Sequence, residues 1–372
     1  MAGQYSEKET QLMGDSFYET RQENSRKILD SHHLDGILFT SLENIHYLCG
    51  FSGSDGAFVM TQRESFFLTD SRYWTQADEE VKGSRIIHYK KKMEGIFSLL
   101  FDLRLKEIGF ESAFLPFSAY QFLAEKLAKE ARLIPLEEAL RNLRAVKDTH
   151  ELTLIRKAID ISSSAFLQVT EILKEGVVER EAALEMESIM KRSGADAIAF
   201  DLILASGKRS ALPHGKASDK RIEKGDFILI DFGSGFRGYH SDQTRTVVCG
   251  NPSGEQRKIY QIVKEAHDKA VEKVRPGIPV SEVDGAARDH IRNQGYGEYF
   301  GHGTGHGIGL AVHEDPTVNS ENKGLLQEGM VFTIEPGIYL PDWGGVRVED
   351  MVLVTSHGVE VLTHLPGELK VI

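Results

Sequence analysis

Two stretches of this chain restrict its fold more than any other feature. Phe227-Ile228-Leu229-Ile230-Asp231-Phe232-Gly233 and Val331-Phe332-Thr333-Ile334-Glu335-Pro336-Gly337 share one shape: an apolar run, a carboxylate, then a glycine two residues on. Each run reads as a buried strand, where an isolated carboxylate costs several kcal/mol or is driven neutral. A single such acid would pass for a strand-end residue capping a turn. Two of them, at 231 and 335, are harder to explain that way. The helix starts Glu179-Arg180-Glu181-Ala182-Ala183 and Glu282-Val283-Asp284-Gly285-Ala286 are offset by almost the same interval. The pattern reads as a duplicated unit of helix, helix, strand and hairpin, with the two acids at equivalent points.

Each acid has a second one downstream, Asp242 in Ser241-Asp242-Gln243-Thr244-Arg245-Thr246 and Glu349 in Arg347-Val348-Glu349-Asp350. The intervals suit hairpins that return beside the first strands. Four converging carboxylates repel unless compensated, and two dications would bring the cluster near neutrality. Oxygen-rich ligation favours manganese, cobalt or zinc over thiolate-preferring metals. A third element, Gly301-His302-Gly303-Thr304-Gly305-His306-Gly307-Ile308-Gly309, is followed by His313. Alternating glycines allow close backbone packing, which brings imidazoles against a partner. His306 and His313 are therefore candidates for ligation or catalysis, with His302 behind them. His214, in Leu212-Pro213-His214-Gly215, reads alone as a loop histidine.

The rest of the chain supplies the frame. Residues 1–143 read as an α/β domain of alternating short strands and helices. The strands are expected at 36–40, 57–61, 65–69, 85–89, 108–110 and 132–136, and the helices near 15–31, 71–81, 93–105 and 118–131. Residues 144–372 form the duplicated half, so the fold class is α+β. A long helix is expected over about 150–173, with Asp148 as N-cap and Glu151 as its capping-box partner. Ile155, Ile159, Ser162, Phe166, Val169 and Leu173 form its buried face. Further helices are expected at 179–192, 255–274 and, with Ser281 as N-cap, 282–294. Strands are expected at 200–205, 227–232, 241–248, 331–334 and 346–354. The 372 residues carry a net charge of −12, which disfavours a nucleic-acid partner. No stretch matches a membrane span, and the polar N-terminus lacks the apolar core of a secretory signal. With two cysteines, these features point to a cytoplasmic protein without a disulfide scaffold.

In combination, the Asp231–Asp242 hairpin, His302–Glu314 (HGTGHGIGLAVHE), Thr333–Gly337 (TIEPG) and Arg347–Asp350 (RVED) resemble the pita-bread metallopeptidases. That group contains Xaa-Pro aminopeptidase, prolidase, methionine aminopeptidase and creatinase. The first ~140 residues resemble the creatinase/prolidase N-terminal domain. Their segments Gly50-Phe51-Ser52-Gly53-Ser54 and Phe67-Leu68-Thr69-Asp70-Ser71-Arg72-Tyr73 are more similar to Xaa-Pro aminopeptidases than to prolidases. The resemblance implies two divalent metal ions, manganese first, held by Asp231, Asp242, His306, Glu335 and Glu349. It implies that Glu335 also relays a proton and that His214 and His313 stabilise the reaction intermediate or orient substrate. His302 would line the site, and Arg347 would steer a ligating carboxylate. The implied activity is cleavage of the bond before proline in peptides by a metal-activated water, in a homodimer or larger homo-oligomer. Arg72 is a candidate for reaching a neighbouring subunit's site.

The leading expectation is an Xaa-Pro aminopeptidase. A prolidase acting on Xaa-Pro dipeptides is the alternative, and a non-catalytic peptide-binding protein on the same scaffold is the rival of another class. Gly233-Ser234-Gly235-Phe236-Arg237-Gly238 matches a dinucleotide-binding fingerprint literally, but a strand is expected after it where the fingerprint needs a helix.

Overall fold

The computed structural model describes residues 7–372; the first six residues of the polar N-terminal stretch lie outside them. The chain divides into two compact units, Met1–Leu143 and Arg144–Ile372.

The first unit is built on a six-stranded mixed sheet. Its strand order is Arg85–His88, Ser65–Thr69, Ala57–Thr61, Gly36–Phe39, Glu107–Phe110 and Arg132–Pro135. The central three strands pair antiparallel and the outer pairs run parallel. Leu38, Val59, Phe66 and Ile108 contribute to a core that also takes Ile96, Leu100 and Leu123 from the helices. The helices span Glu7–His32, Trp74–Glu80, Lys92–Asp102 and Phe117–Leu127. Two further helices, Leu42–Cys49 and the single turn Glu138–Arg141, have no counterpart in the sequence reading, and the first is the longer. Ser41 caps the N-terminus of Leu42–Cys49 by accepting from the Asn44 amide, and the buried Glu111 carboxylate accepts from the Ser41 amide. With eight residues the segment is too short for periodicity to separate it from a loop.

The second unit opens with the helix Thr149–Ile172. Its capping box is closed in both directions, Glu151 N–H to Asp148 and Asp148 N–H to Glu151. All six residues expected on its apolar face are buried. The helix packs with Glu179–Arg192, and Gly254–Lys273 packs with Val280–Asn293, so two helix pairs recur as the duplication requires. The last of these helices departs from expectation. It starts at Val280, Pro279 holds the cap position, and no side-chain cap bond forms. Proline already fixes the φ that a helix entry needs, so Ser281 falls inside the helix.

Four sheets carry the strands, the smallest three-stranded one joining Ala197–Ile198, Ser234–Phe236 and Tyr239–His240. Gln243–Val248, Phe227–Phe232 and Ile203–Ser206 form one antiparallel sheet. A five-stranded sheet runs Glu314–Val318, Gly305–Gly307, Val331–Ile334, Asp350–Thr355 and Gly358–Val361, and Gly337–Leu340 pairs with Gly344–Arg347. The single strand expected over 346–354 is therefore two. The chain leaves one sheet after Arg347 and enters another at Asp350. At the crossing, Glu349 makes an isolated bridge to Thr244 of the first half. The strand expected from 200 begins at Ile203, and Ser241 and Asp242 precede the ladder that starts at Gln243. Arg237 and Gly238, both at positive φ, turn the chain from Ser234–Phe236 into Tyr239–His240. A hairpin therefore occupies the place where a dinucleotide fingerprint would need a helix.

Candidate metal centre

One cavity of ≈ 500 Å³ is lined by all nine residues singled out in the sequence: His214, Asp231, Asp242, His302, His306, His313, Glu335, Arg347 and Glu349. Each reaches it for a local reason. Asp231 sits near the end of Phe227–Phe232, a strand buried through Ile230, and pairs across to Thr244. His306 is the middle residue of a three-residue strand between two glycines. A Cβ on Gly305 would lie 1.9 Å from the Thr333 carbonyl oxygen, and one on Gly307 2.1 Å from that of Asp315. Only glycines let this strand approach both neighbours so closely. The Glu335 amide donates to the Thr304 carbonyl at 2.7 Å, which ties the end of its strand to the histidine loop. Glu349 occupies the sheet crossing.

The contacts define an acidic centre under tension. One ligand atom each from Asp242, His306 and Glu349 fall within 4.8 Å of one another. His306 Nε2 lies 3.6 Å from oxygens of both Asp242 and Glu335. His306 Nδ1 faces the Gly307 carbonyl at 3.1 Å, so the proton of the neutral ring belongs on Nδ1 and the Nε2 lone pair points at the carboxylates. Burial first, then the charges of Glu349, Asp231 and Glu335, hold Asp242 well above the usual carboxylate range. Burial, followed by Glu335 and Asp231, does the same to Glu349. Burial raises Glu335 to about 7 and lowers His306 to about 4.

Arg347 is the buried counter-charge. It donates to Asp231 Oδ2 at 2.5 Å, Thr244 Oγ1 at 3.0 Å, Tyr339 Oη at 2.9 Å and the Pro213 carbonyl at 3.2 Å. One guanidinium cannot balance four acids. Asp231 Oδ1 and Asp242 Oδ1 stay buried with no hydrogen-bond partner. Buried carboxylate oxygens left unpaired, in a cluster at which an imidazole lone pair is also aimed, fit a cation-binding site. The donor set of carboxylate oxygens and one imidazole nitrogen suits a hard or borderline divalent metal.

His302 stands aside from this cluster. Its Nδ1 faces the Gly303 carbonyl at 2.7 Å and its Nε2 meets Tyr339 Oη at 2.9 Å. Burial lowers it to about 4, so a neutral ring donates from Nδ1 and accepts the tyrosine proton. The His313 ring lies against that of His306, tilted by 45° with centroids 4.1 Å apart, and His313 and His214 are exposed residues of the cavity lining. Arg72 lies in the first unit, exposed and bonded to Asp70 and Asp55.

Two residues the sequence reading passed over also serve the centre. Thr244 Oγ1 donates to Glu349 Oε2 at 2.6 Å while accepting from Arg347. Its parity with Asp242 along the hairpin was the available signal, since alternate residues of a strand face one side. Tyr339 joins His302 to Arg347, and no pattern in the sequence marks it. Behind His313, Glu314 accepts from Lys147 Nζ at 2.6 Å and Arg144 at 2.9 Å, which pins the loop that carries the histidine.

Residues 153–356 match the model of metallopeptidase family M24, and residues 21–146 match the creatinase/prolidase N-terminal domain. The chain belongs to metallopeptidase family M24. It is 41% identical to the Xaa-Pro dipeptidase of Pyrococcus horikoshii, over 92% of this chain and 96% of that protein. Among solved structures, an Xaa-Pro dipeptidase from Bacillus anthracis superposes with a TM-score of 0.92 at 40% identity, covering 95% of this chain and all of that one. An X-Pro aminopeptidase from Thermotoga maritima gives 0.87 at 37%, covering 94% and 99%. The fold is thus the pita-bread fold behind a creatinase-type N-terminal domain, and the protein is a metallopeptidase.

Proposed function

We propose that this metallopeptidase is an Xaa-Pro dipeptidase, an exopeptidase that hydrolyses the bond between the first residue and proline in a dipeptide. The observation that carries the reading is the buried cluster of Asp231, Asp242, His306, Glu335 and Glu349, intact in a chain matched nearly end to end by Xaa-Pro dipeptidases. This ordering reverses the one drawn from the N-terminal motifs, which put the aminopeptidase first. The second reading, Xaa-Pro aminopeptidase, is favoured by the Thermotoga maritima structure.

Asp231, Asp242, His306, Glu335 and Glu349 would hold two divalent ions, with manganese the first expectation and cobalt or zinc the alternatives. Bound there, the ions supply Lewis acidity and a water acidic enough to attack near neutrality. The chain's own groups do the rest. Arg347 and Thr244 fix the carboxylates of Asp231 and Glu349 in position. Glu335, a member of the same cluster, is the carboxylate to which the family resemblance assigns accepting and returning a proton. His313 and His214, exposed in the cavity lining, are positioned to donate to the oxygen that develops charge on the scissile carbonyl. A bond to proline has no N–H, so the site must fit a ring and needs no acceptor there.

No helix among the described residues is long and apolar enough to cross a membrane. Two buried free cysteines accord with a cytoplasmic location, and the family resemblance with a homodimer or larger homo-oligomer. The deciding assay compares an Xaa-Pro dipeptide with the matching Xaa-Pro-Yaa tripeptide on manganese-loaded protein. Turnover confined to or strongly favouring the dipeptide supports the reading; preference for the tripeptide restores the aminopeptidase.

A further inference from the structure

A dipeptide differs from a longer peptide in one charged feature close to the scissile bond, the carboxylate on its second residue. Two residues span at most about 7 Å, so that carboxylate must fall inside the same cavity as the bond being cut. Among the residues lining it, two carry a permanent cation, Arg347 and Lys216. Arg347 is buried, with four donor contacts already committed to Asp231, Thr244, Tyr339 and Pro213. Lys216 is different. Its Nζ has one ion-pair partner, Asp201 Oδ2 at 2.5 Å, and both side chains are largely exposed. Such a pair contributes little and exchanges partners readily.

Its placement is set by the sheet. Lys216 bridges Ile203, and Ile203 pairs with Asp231. At about 4.8 Å per strand step, the Lys216 backbone lies roughly 10 Å from that of Asp231. The backbone is anchored as well: Arg209 donates to the Lys216 carbonyl at 2.6 Å and is itself held by the buried Glu179. A flexible four-carbon stem on a fixed base therefore overhangs the cavity within reach of a dipeptide's far end. Asp201, on the facing edge, holds the ammonium there when no substrate is bound.

Resting on the dipeptidase reading, we propose that the Lys216 ammonium leaves Asp201 to receive the substrate's C-terminal carboxylate, and that this exchange sets the preference for dipeptides. The test compares Ala-Pro with Ala-Pro-amide, which keeps the scissile bond and loses the carboxylate charge. In Lys216→Ala the ratio of kcat/KM for the dipeptide to that for the amide falls roughly tenfold, most of it in KM, as expected for one lost charge-assisted contact at a wet site. Lys216→Arg restores the ratio, and Asp201→Asn, which frees the ammonium, lowers the dipeptide KM. By calorimetry, Lys216→Ala weakens binding of free proline, the carboxylate-bearing product, by a similar factor. An unchanged ratio in Lys216→Ala overturns the proposal, as does a parallel fall for dipeptide and amide, which would mark a structural role. Wild-type protein that cleaves the amide but not the dipeptide overturns the dipeptidase reading, and this proposal with it. Wild-type turnover of the dipeptide with an unmoved ratio in the variant overturns this proposal alone.

Discussion

Replacing Glu335 by glutamine should stabilise the metal-free protein while it removes activity. In the absence of metal, burial raises Glu335 from 4.5 to about 7, with Asp231 adding to the effect and Arg347 opposing it. The folded state therefore holds this proton more tightly than the unfolded chain does. The stability it contributes is fully present below the unfolded value and is lost as pH rises through the folded one. At about 1.36 kcal/mol per pKa unit, ionising the buried side chain costs about 3 kcal/mol near pH 8 and under about 1 kcal/mol near pH 5. Glutamine has the same shape and no charge, so it escapes the cost. His302 and His306, both lowered to about 4, impose the opposite trend, because stability is lost as pH falls below the usual histidine value. The wild-type profile alone would mix the two, but near pH 8 both histidines are neutral in the folded and the unfolded chain and drop out of the difference. Urea denaturation in chelator should show Glu335→Gln more stable than wild type by about 3 kcal/mol near pH 8, shrinking towards zero near pH 5. With saturating metal the order reverses, because a ligand is gone. A variant no more stable than wild type in chelator near pH 8 would refute the argument that the acids are held there at a cost.

The remaining predictions concern single contacts. His313→Ala should retain bound metal and lose about 10²–10³ in kcat; a metal assay beside steady-state kinetics separates the two, and unchanged kcat would remove His313 from the mechanism. Thr244→Val removes the hydroxyl shared by Glu349 and Arg347 and should weaken metal affinity about 10–100-fold, read by competition with a chromophoric chelator. Lys147→Met leaves Glu314 with Arg144 alone in a buried setting and should cost about 3 kcal/mol in urea unfolding, with little change in metal affinity.

The acids were legible because a carboxylate that ends an apolar run violates burial, and the violation occurs twice at matching points. His306 was legible through Gly305 and Gly307, whose close approaches to Thr333 and Asp315 require glycine and nothing else. Less could be read where tertiary contacts decide. The break at Val348-Glu349 is invisible in a continuous run of β-forming residues, because a bridge to Thr244 from the other half of the duplication creates it. Lys216 reads as one more charged loop residue until its bridge to Ile203 sets it over the cavity. Tyr339 could not be foreseen, because its hydroxyl gains meaning only between His302 and Arg347. The capping box at Asp148 and Glu151 is local and was read in full, whereas the cap at Ser281 lost to a proline two residues earlier.

Asp231, Asp242, His306, Glu335 and Glu349 would together hold the pair of divalent ions that hydrolysis requires. Elemental analysis of purified protein loaded with manganese and freed of excess, run beside dipeptide turnover, tests it most directly. The expected result is about two ions per chain, with activity lost on chelation and regained on reloading; in Asp242→Ala the pair is lost along with turnover. Two ions retained in Asp242→Ala, or full turnover by protein stripped of metal, would contradict it.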